Sequence, residues 1–151
     1  MFAMADQQAI LVVEDSPEDF EATTRVLRKS GLANPIYRCC DGDEALDFLF
    51  QRGAYGGPHR PSRPSVILLD LNLPGTDGRE VLAEIKNDAH LKLIPVVVLT
   101  TSSDERDIAM CYQAGANSYM KKPVDLGGFV SAIQRLKDYW FEIVILPKVT
   151  P

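Results

Sequence analysis

The stretch "PSVILLDLNLPGTDGREVL", residues 64–82, runs an apolar segment straight into a carboxylate at Asp70. A charge at the end of a buried run is costly unless something there uses it. The same arrangement recurs along the chain. "AILVV" is followed by Glu14 and Asp15, "IPVVVLT" closes on Thr100, and "NSYMK" leads into Lys122. If each apolar run is a strand of one parallel sheet, these acids, the hydroxyl and the amine meet at the carboxyl ends of the strands, where sites in such sheets form. Each residue alone has a plainer explanation. Asp15 would cap a helix, Asp70 would start the turn before Pro74-Gly75, Thr100 would be an ordinary strand residue and Lys122 a solvated one. All of them together, in this order, favour a site.

Acids held close repel one another, so they share a proton or collect a cation. Oxygen donors without histidine or thiolate suit Mg²⁺, which keeps waters and accepts a phosphate oxygen. Lys122 opposite such a cation adds a second positive charge. Two cations, an acid and a hydroxyl suit a phosphoryl group, whose transfer depends on positioning and charge neutralisation. The acid pointing to the middle, Asp70, would be the nucleophile and form an acyl phosphate.

The elements that must hold these groups alternate. The buried run at residues 9–13 precedes "SPED", in which Ser16 suits a helix N-cap, Pro17 the first helical position and Asp19 a partial capping box. Phe20, Thr24 and Leu27 follow at helical spacing, and Gly31 closes the helix. "NPIYRCC" reads as a second strand and "DEALDFLF" as a short helix with Ala45, Leu46 and Leu49 inward. Residues 65–70 form the third strand, and Val81, Leu82 and Ile85 mark the third helix. Residues 94–100 form the fourth strand. Ser102 and Glu105 offer a capping box to a helix carrying Ile108 and Tyr112 and ended by Gly115. "NSYMK" is the fifth strand, and Phe129, Ile133, Leu136 and Trp140 make one stripe of a fifth helix that begins, weakly, at Gly127 and Gly128. Five strand–helix repeats predict right-handed crossovers and a doubly wound α/β fold, a five-stranded parallel sheet with helices on both faces. No GxGxxG follows the first strand and no GxxxxGK[ST] occurs, which demotes nucleotide-binding versions of the fold.

Composition bounds the function classes. The chain of 151 residues is 46% hydrophobic and 25% charged, enough for one core without staples. A net charge of −5 argues against a general nucleic-acid or anionic-membrane binder. No apolar run is long enough to span a bilayer, and "MFAMADQQ" lacks the features of a secretory signal. Cys39 and Cys40 are neighbours and point to opposite faces of a strand, so with Cys111 they read as reduced thiols in the cytoplasm. His59 and His90 stand alone, outside any metal-ligand spacing.

"LVVEDSPED", "LLDLNLPGTDG", "VVVLTTSSD" and "AGANSYMKKPVD", in that order, resemble the signatures of the receiver domain of bacterial two-component response regulators. The resemblance implies a flavodoxin-like sheet of order 2-1-3-4-5 over residues 9–139. It implies phosphoryl transfer from a sensor histidine kinase to Asp70, and Mg²⁺ held by Glu14, Asp15, Asp70 and the backbone carbonyl of Asn72. Thr100 and Lys122 would contact the phosphoryl oxygens. Thr100 would move towards them and Tyr119 would turn inward as the switch. A cis peptide between Lys122 and Pro123 would aim Lys122 into the crevice, with Lys121 pointing elsewhere. Such a domain catalyses only its own phosphorylation and dephosphorylation and is not otherwise an enzyme. The long loop "QRGAYGGPHRPSRPS", the stretch "LNLPGTDGREVLAEIK" and the ending "WFEIVILP" are similar to the small regulators partnered with bacterial and cyanobacterial phytochromes, which implies a bacteriophytochrome kinase as partner.

Residues 1–8 are expected to be a disordered tail, and residues 140–151 an apolar arm. Seven of the eight residues from Tyr139 to Leu146 are apolar. The arm either folds back over its own fifth helix or pairs with a second copy. The expectation is an isologous homodimer through the fifth helix and Tyr139, Trp140, Phe141, Ile143, Ile145 and Leu146. No output domain follows in the sequence, so the chain reads as a single-domain regulator. Two rivals remain. A phosphatase resembling the haloacid dehalogenases would need an acid two positions after Asp70, where this chain has Asn72, which cannot donate the proton. A pure interaction module would have no use for the phosphoryl-site residues.

Overall fold

The computed structural model describes residues 8–147. The expected tail, except for Gln8, and the last four residues of the arm lie outside that range. Five strands, β1 (Ile10–Val13), β2 (Ile36–Cys39), β3 (Val66–Leu69), β4 (Val96–Thr100) and β5 (Ser118–Lys121), alternate with five helices. These are α1 (Pro17–Lys29), α2 (Gly42–Leu49), α3 (Gly78–Asn87), α4 (Glu105–Ala114) and α5 (Leu126–Lys137). All strand pairs are parallel and the order is β2-β1-β3-β4-β5, as the resemblance implies.

Why the central strands are continuous apolar runs is now visible. Every residue of β1, β3 and β4 is buried, because both faces of the sheet are covered. Alternate side chains feed two separate cores. Leu11, Val13, Ile67, Leu69, Val96 and Val98 pack against α2, α3 and α4 through Ala45, Leu49, Leu82, Ile85 and Cys111. Ile10, Val12, Val66, Leu68, Val97 and Leu99 pack against α1 and α5 through Val26, Leu27, Phe129, Ile133 and Leu136. The edge strands β2 and β5 are only partly covered.

Local chemistry sets the helix ends. Ser16 Oγ accepts the backbone N–H of Asp19 at 3.2 Å, and Pro17 opens α1. Along α1 the buried threonine is Thr23 rather than Thr24. The start of α4 differs from expectation: its N-cap is Asp104, not Ser102, whose hydroxyl instead donates to Asp107 at 2.7 Å. The inward residue of α4 is Cys111, while Tyr112 is half-exposed. Gly115 ends α4 at φ +110°, where a side chain would be strained. Of the glycine pair at α5, Gly128 finds its reason. Asp125 caps the helix by accepting the N–H of Gly128 at 2.7 Å, and a Cβ on Gly128 would lie 3.0 Å from both Asp125 Oδ1 and Pro123 Cβ.

The apolar arm divides. Helix α5 continues directly into a π-helical turn, Asp138–Ile143. Trp140 completes the stripe of Phe129, Ile133 and Leu136 within the α1–α5 core, and Phe141, Val144 and Leu146 lie half-buried against it. Tyr139, Ile143 and Ile145 face outward. Of the six residues assigned to a dimer contact, Trp140, Phe141 and Leu146 are therefore engaged by their own chain. No described helix is long and apolar enough to cross a membrane.

Candidate functional site

Strands β1, β3 and β5 each hand their next residue to one crevice. The N–H of Asp70 donates to Val13 O at 3.1 Å, that of Glu14 to Cys39 O at 3.0 Å and that of Lys122 to Thr100 O at 2.6 Å. The ladder thus extends one residue past β3, β1 and β5, and fixes where these side chains start. Lys122 is buried, and its ammonium lies 2.5 Å from Glu14 Oε1, 3.0 Å from Asp19 Oδ2 and 3.1 Å from Asp70 Oδ2. Glu14 also accepts the N–H of Ser16 at 3.1 Å, and Asp70 Oδ1 that of Asn72 at 3.2 Å. Glu14, Asp70 and Thr100 are buried; Asp15, Asn72 and Lys121 are exposed.

The peptide bond between Lys122 and Pro123, expected to be cis, is trans, and no described peptide bond is cis. Trans is the lower-energy isomer even before proline, by roughly 0.5–1 kcal/mol. The aim of Lys122 needs no other isomer, because its N–H stays on the sheet ladder and three carboxylates draw its ammonium inward.

Burial opposes charge on both members of the Glu14–Lys122 pair. For Lys122 that desolvation is outweighed by the hydrogen bond to Glu14, the charge of Asp70 and the hydrogen bond to Asp19, so its pKa is raised and the ammonium persists. For Glu14 desolvation prevails over the help from Lys122, and the charge of Asp70 adds to it, so the carboxyl is raised. Three carboxylates, those of Glu14, Asp19 and Asp70, thus face one ammonium. Oxygens of Glu14, Asp15 and Asp70 all lie within 4.8 Å of one another. Hard oxygen donors with excess negative charge fit a divalent cation, and Glu14, Asp15 and Asp70 are the residues that could hold it.

Thr100 ends β4 with its side chain fully buried, and its hydroxyl has no hydrogen-bond partner. An orphaned polar atom in a core calls for an explanation, and a hydroxyl kept for an incoming oxygen supplies one. Tyr119 is half-buried; its hydroxyl donates to the carbonyl of Ser102 at 3.0 Å, two residues beyond Thr100. Ser102 in turn joins Asp107, which receives both forks of the Arg79 guanidinium at 2.7 Å.

Two participants carry no sequence signal. Asp19 reads as a first-turn helix acid, yet it reaches Lys122 from 103 residues away. Arg38, on the edge strand β2, donates to the carbonyl of Glu14 at 3.1 Å and of Asp15 at 3.3 Å, so it holds the acid pair from behind. The loop after Asp70 is seated on α2: a Cβ on Gly42 would lie 1.8 Å from Thr76 O, and the Thr76 hydroxyl donates to Asp43. A Cβ on Gly78 would meet Asp70 O at 2.3 Å, so the backbones beside the acid touch.

The model of the response regulator receiver domain matches residues 10–134. Response regulator Rcp1 of Synechocystis sp. is 44% identical over 140 residues, which are 93% of this chain and 93% of that protein. The crystal structure of the Mn(2+)-bound form of response regulator Rcp1 superposes with a TM-score of 0.89 at 45% identity, covering 93% of this chain and 99% of that one. The phosphorylated cyanobacterial phytochrome response regulator RcpA gives a TM-score of 0.89 at 41% identity over 94% and 99% of the two chains.

Proposed function

This chain belongs to the response regulator receiver domain family, and from that premise we propose that it accepts a phosphoryl group on Asp70 from a sensor histidine kinase of the bacteriophytochrome type, in the cytoplasm. The single observation that carries this reading is the Asp70 carboxylate, buried at a strand end, 3.1 Å from the Lys122 ammonium and clustered with Glu14 and Asp15. The partner type is supported by the similarity to Rcp1 and to the phytochrome response regulator RcpA over nearly the whole chain.

In the transfer, an oxygen of Asp70 attacks the phosphorus of a phosphohistidine. The P–O bond forms as the P–N bond breaks, the electron pair leaves with the imidazole, and the product is an acyl phosphate. Mg²⁺, held by Glu14, Asp15, Asp70 and the Asn72 carbonyl, would neutralise charge on the transferring group. Lys122 supplies a fixed positive charge on the other side, kept protonated by its carboxylate partners. The N–H of Asn72 on Asp70 Oδ1 restricts rotation of the carboxylate, so an oxygen is presented rather than found. The free hydroxyl of Thr100 donates to a phosphoryl oxygen, and its movement releases Tyr119 from the carbonyl of Ser102. The signal then passes by docking of the altered surface around α4 and β5.

The test is chemical. Incubation with acetyl phosphate and Mg²⁺ adds one phosphoryl group per chain, chelation stops it, and Asp70→Asn abolishes it. A purified phytochrome kinase transfers its label faster than unrelated histidine kinases do. Continuous turnover of a phosphate monoester would instead mark a phosphatase, and equal sluggishness with every kinase would remove the phytochrome assignment.

A further inference from the structure

Lys122 has three N–H donors and three carboxylate acceptors, one each from Glu14, Asp19 and Asp70. Two of these acceptors change their engagement as the site is loaded. Glu14 and Asp70 belong to the cluster that suits a cation, and Asp70 becomes the acyl phosphate. Asp19 does neither: it lies outside that cluster. We propose that Asp19 is a positioning residue, which holds the ammonium of Lys122 in place while its other two partners are being drawn away. The proposal rests on the receiver reading of the site.

Asp19 is built for constancy. It is the third residue of α1; its N–H is held by Ser16 Oγ at 3.2 Å and its carbonyl accepts the Thr23 hydroxyl at 2.8 Å. The amino end of a helix favours a carboxylate there. Its side chain is 40% exposed whereas that of Lys122 is 5% exposed, so Asp19 forms the outer wall of the lysine's cavity. An ammonium anchored on that wall reaches an incoming oxygen by a small turn instead of a search through its rotamers, which for lysine are many. A first-turn acid that served only α1 would stabilise the helix and leave everything that depends on Lys122 untouched.

The full chain is compared with Asp19→Ala, Asp19→Asn, Lys122→Ala and the double variant Asp19→Ala/Lys122→Ala. Uptake of beryllofluoride with Mg²⁺ and the rate of modification by acetyl phosphate report on Lys122; Mn²⁺ affinity and thermal unfolding report on the cation site and the fold. Asp19→Ala is expected to weaken beryllofluoride uptake and slow modification by about fivefold, a coupling of ordinary size for side chains in contact. Asp19→Asn, which keeps an acceptor oxygen, recovers part of this. In the Lys122→Ala background the Asp19→Ala change adds nothing. Wild-type behaviour of Asp19→Ala, or an equal loss with and without Lys122, overturns the role of Asp19. A wild-type chain that takes up neither probe overturns the receiver reading, and this proposal with it.

Discussion

Thr100 shows how a receiver site can be paid for in stability. Its hydroxyl sits in the core with no partner, and such an unsatisfied group costs about 1–3 kcal/mol. Thr100→Val keeps the branched shape and removes the orphan. We expect this variant to unfold at higher denaturant than the parent, by about 1 kcal/mol, while its affinity for beryllofluoride falls. A loss of stability together with unchanged affinity would mean that the hydroxyl serves the fold. The residue types of this crevice were legible because a charge or hydroxyl directly after an apolar run is anomalous; Asp70, Glu14 and Lys122 announce themselves in that way. Asp19 and Arg38 do not, since a helix acid and a strand arginine are ordinary in sequence. Their contacts, 103 and 24 residues away along the chain, exist only once the sheet has formed.

Between elements, the pair Arg79–Asp107 ties the first turn of α3 to α4, with side chains 27% and 16% exposed. The hydrogen bond from Arg79, then that from Ser102, holds the Asp107 carboxyl down to about 2. Because the folded value lies below the unfolded one near ~3.9, the contribution of the pair is complete above that pH and is lost as pH falls through about 2. Asp107→Asn should therefore cost about 1 kcal/mol at neutral pH, the upper end for a partly exposed pair. The urea midpoints of variant and parent should converge as pH is lowered from 5 towards 2, and a constant gap would contradict the ion pair. This pair also explains why the start of α4 was hard to read. Ser102 and Asp104 both suit an N-cap, and the choice falls to Asp104 because Ser102 is occupied by Asp107 from the following turn. Strand order and the two-sided burial of β1, β3 and β4 were legible, since repeated strand–helix units leave little freedom in how they wind.

For the molecule as a whole, the arm beyond α5 is divided between core and surface. We propose that Tyr139, Ile143 and Ile145, which face outward, meet their counterparts in a homodimer, while Trp140 belongs to the core. Charged replacements Ile143→Lys and Ile145→Lys together should shift sedimentation from dimer to monomer without lowering the unfolding temperature; an unshifted profile would leave the arm as a cover for α1 and α5 only. The sequence showed the greasiness of this segment but not its division, because the π-helical turn at Asp138–Ile143 sets which side chains point inward. A different consequence follows from the long connection between α2 and β3. It joins the rear of the sheet, at the end away from Asp70, and residues 57–60 there are exposed. A fluorescent protein grafted between Gly57 and Arg60 would ride on the molecule as a passive label, leaving the acid crevice free to be loaded and read in living cells.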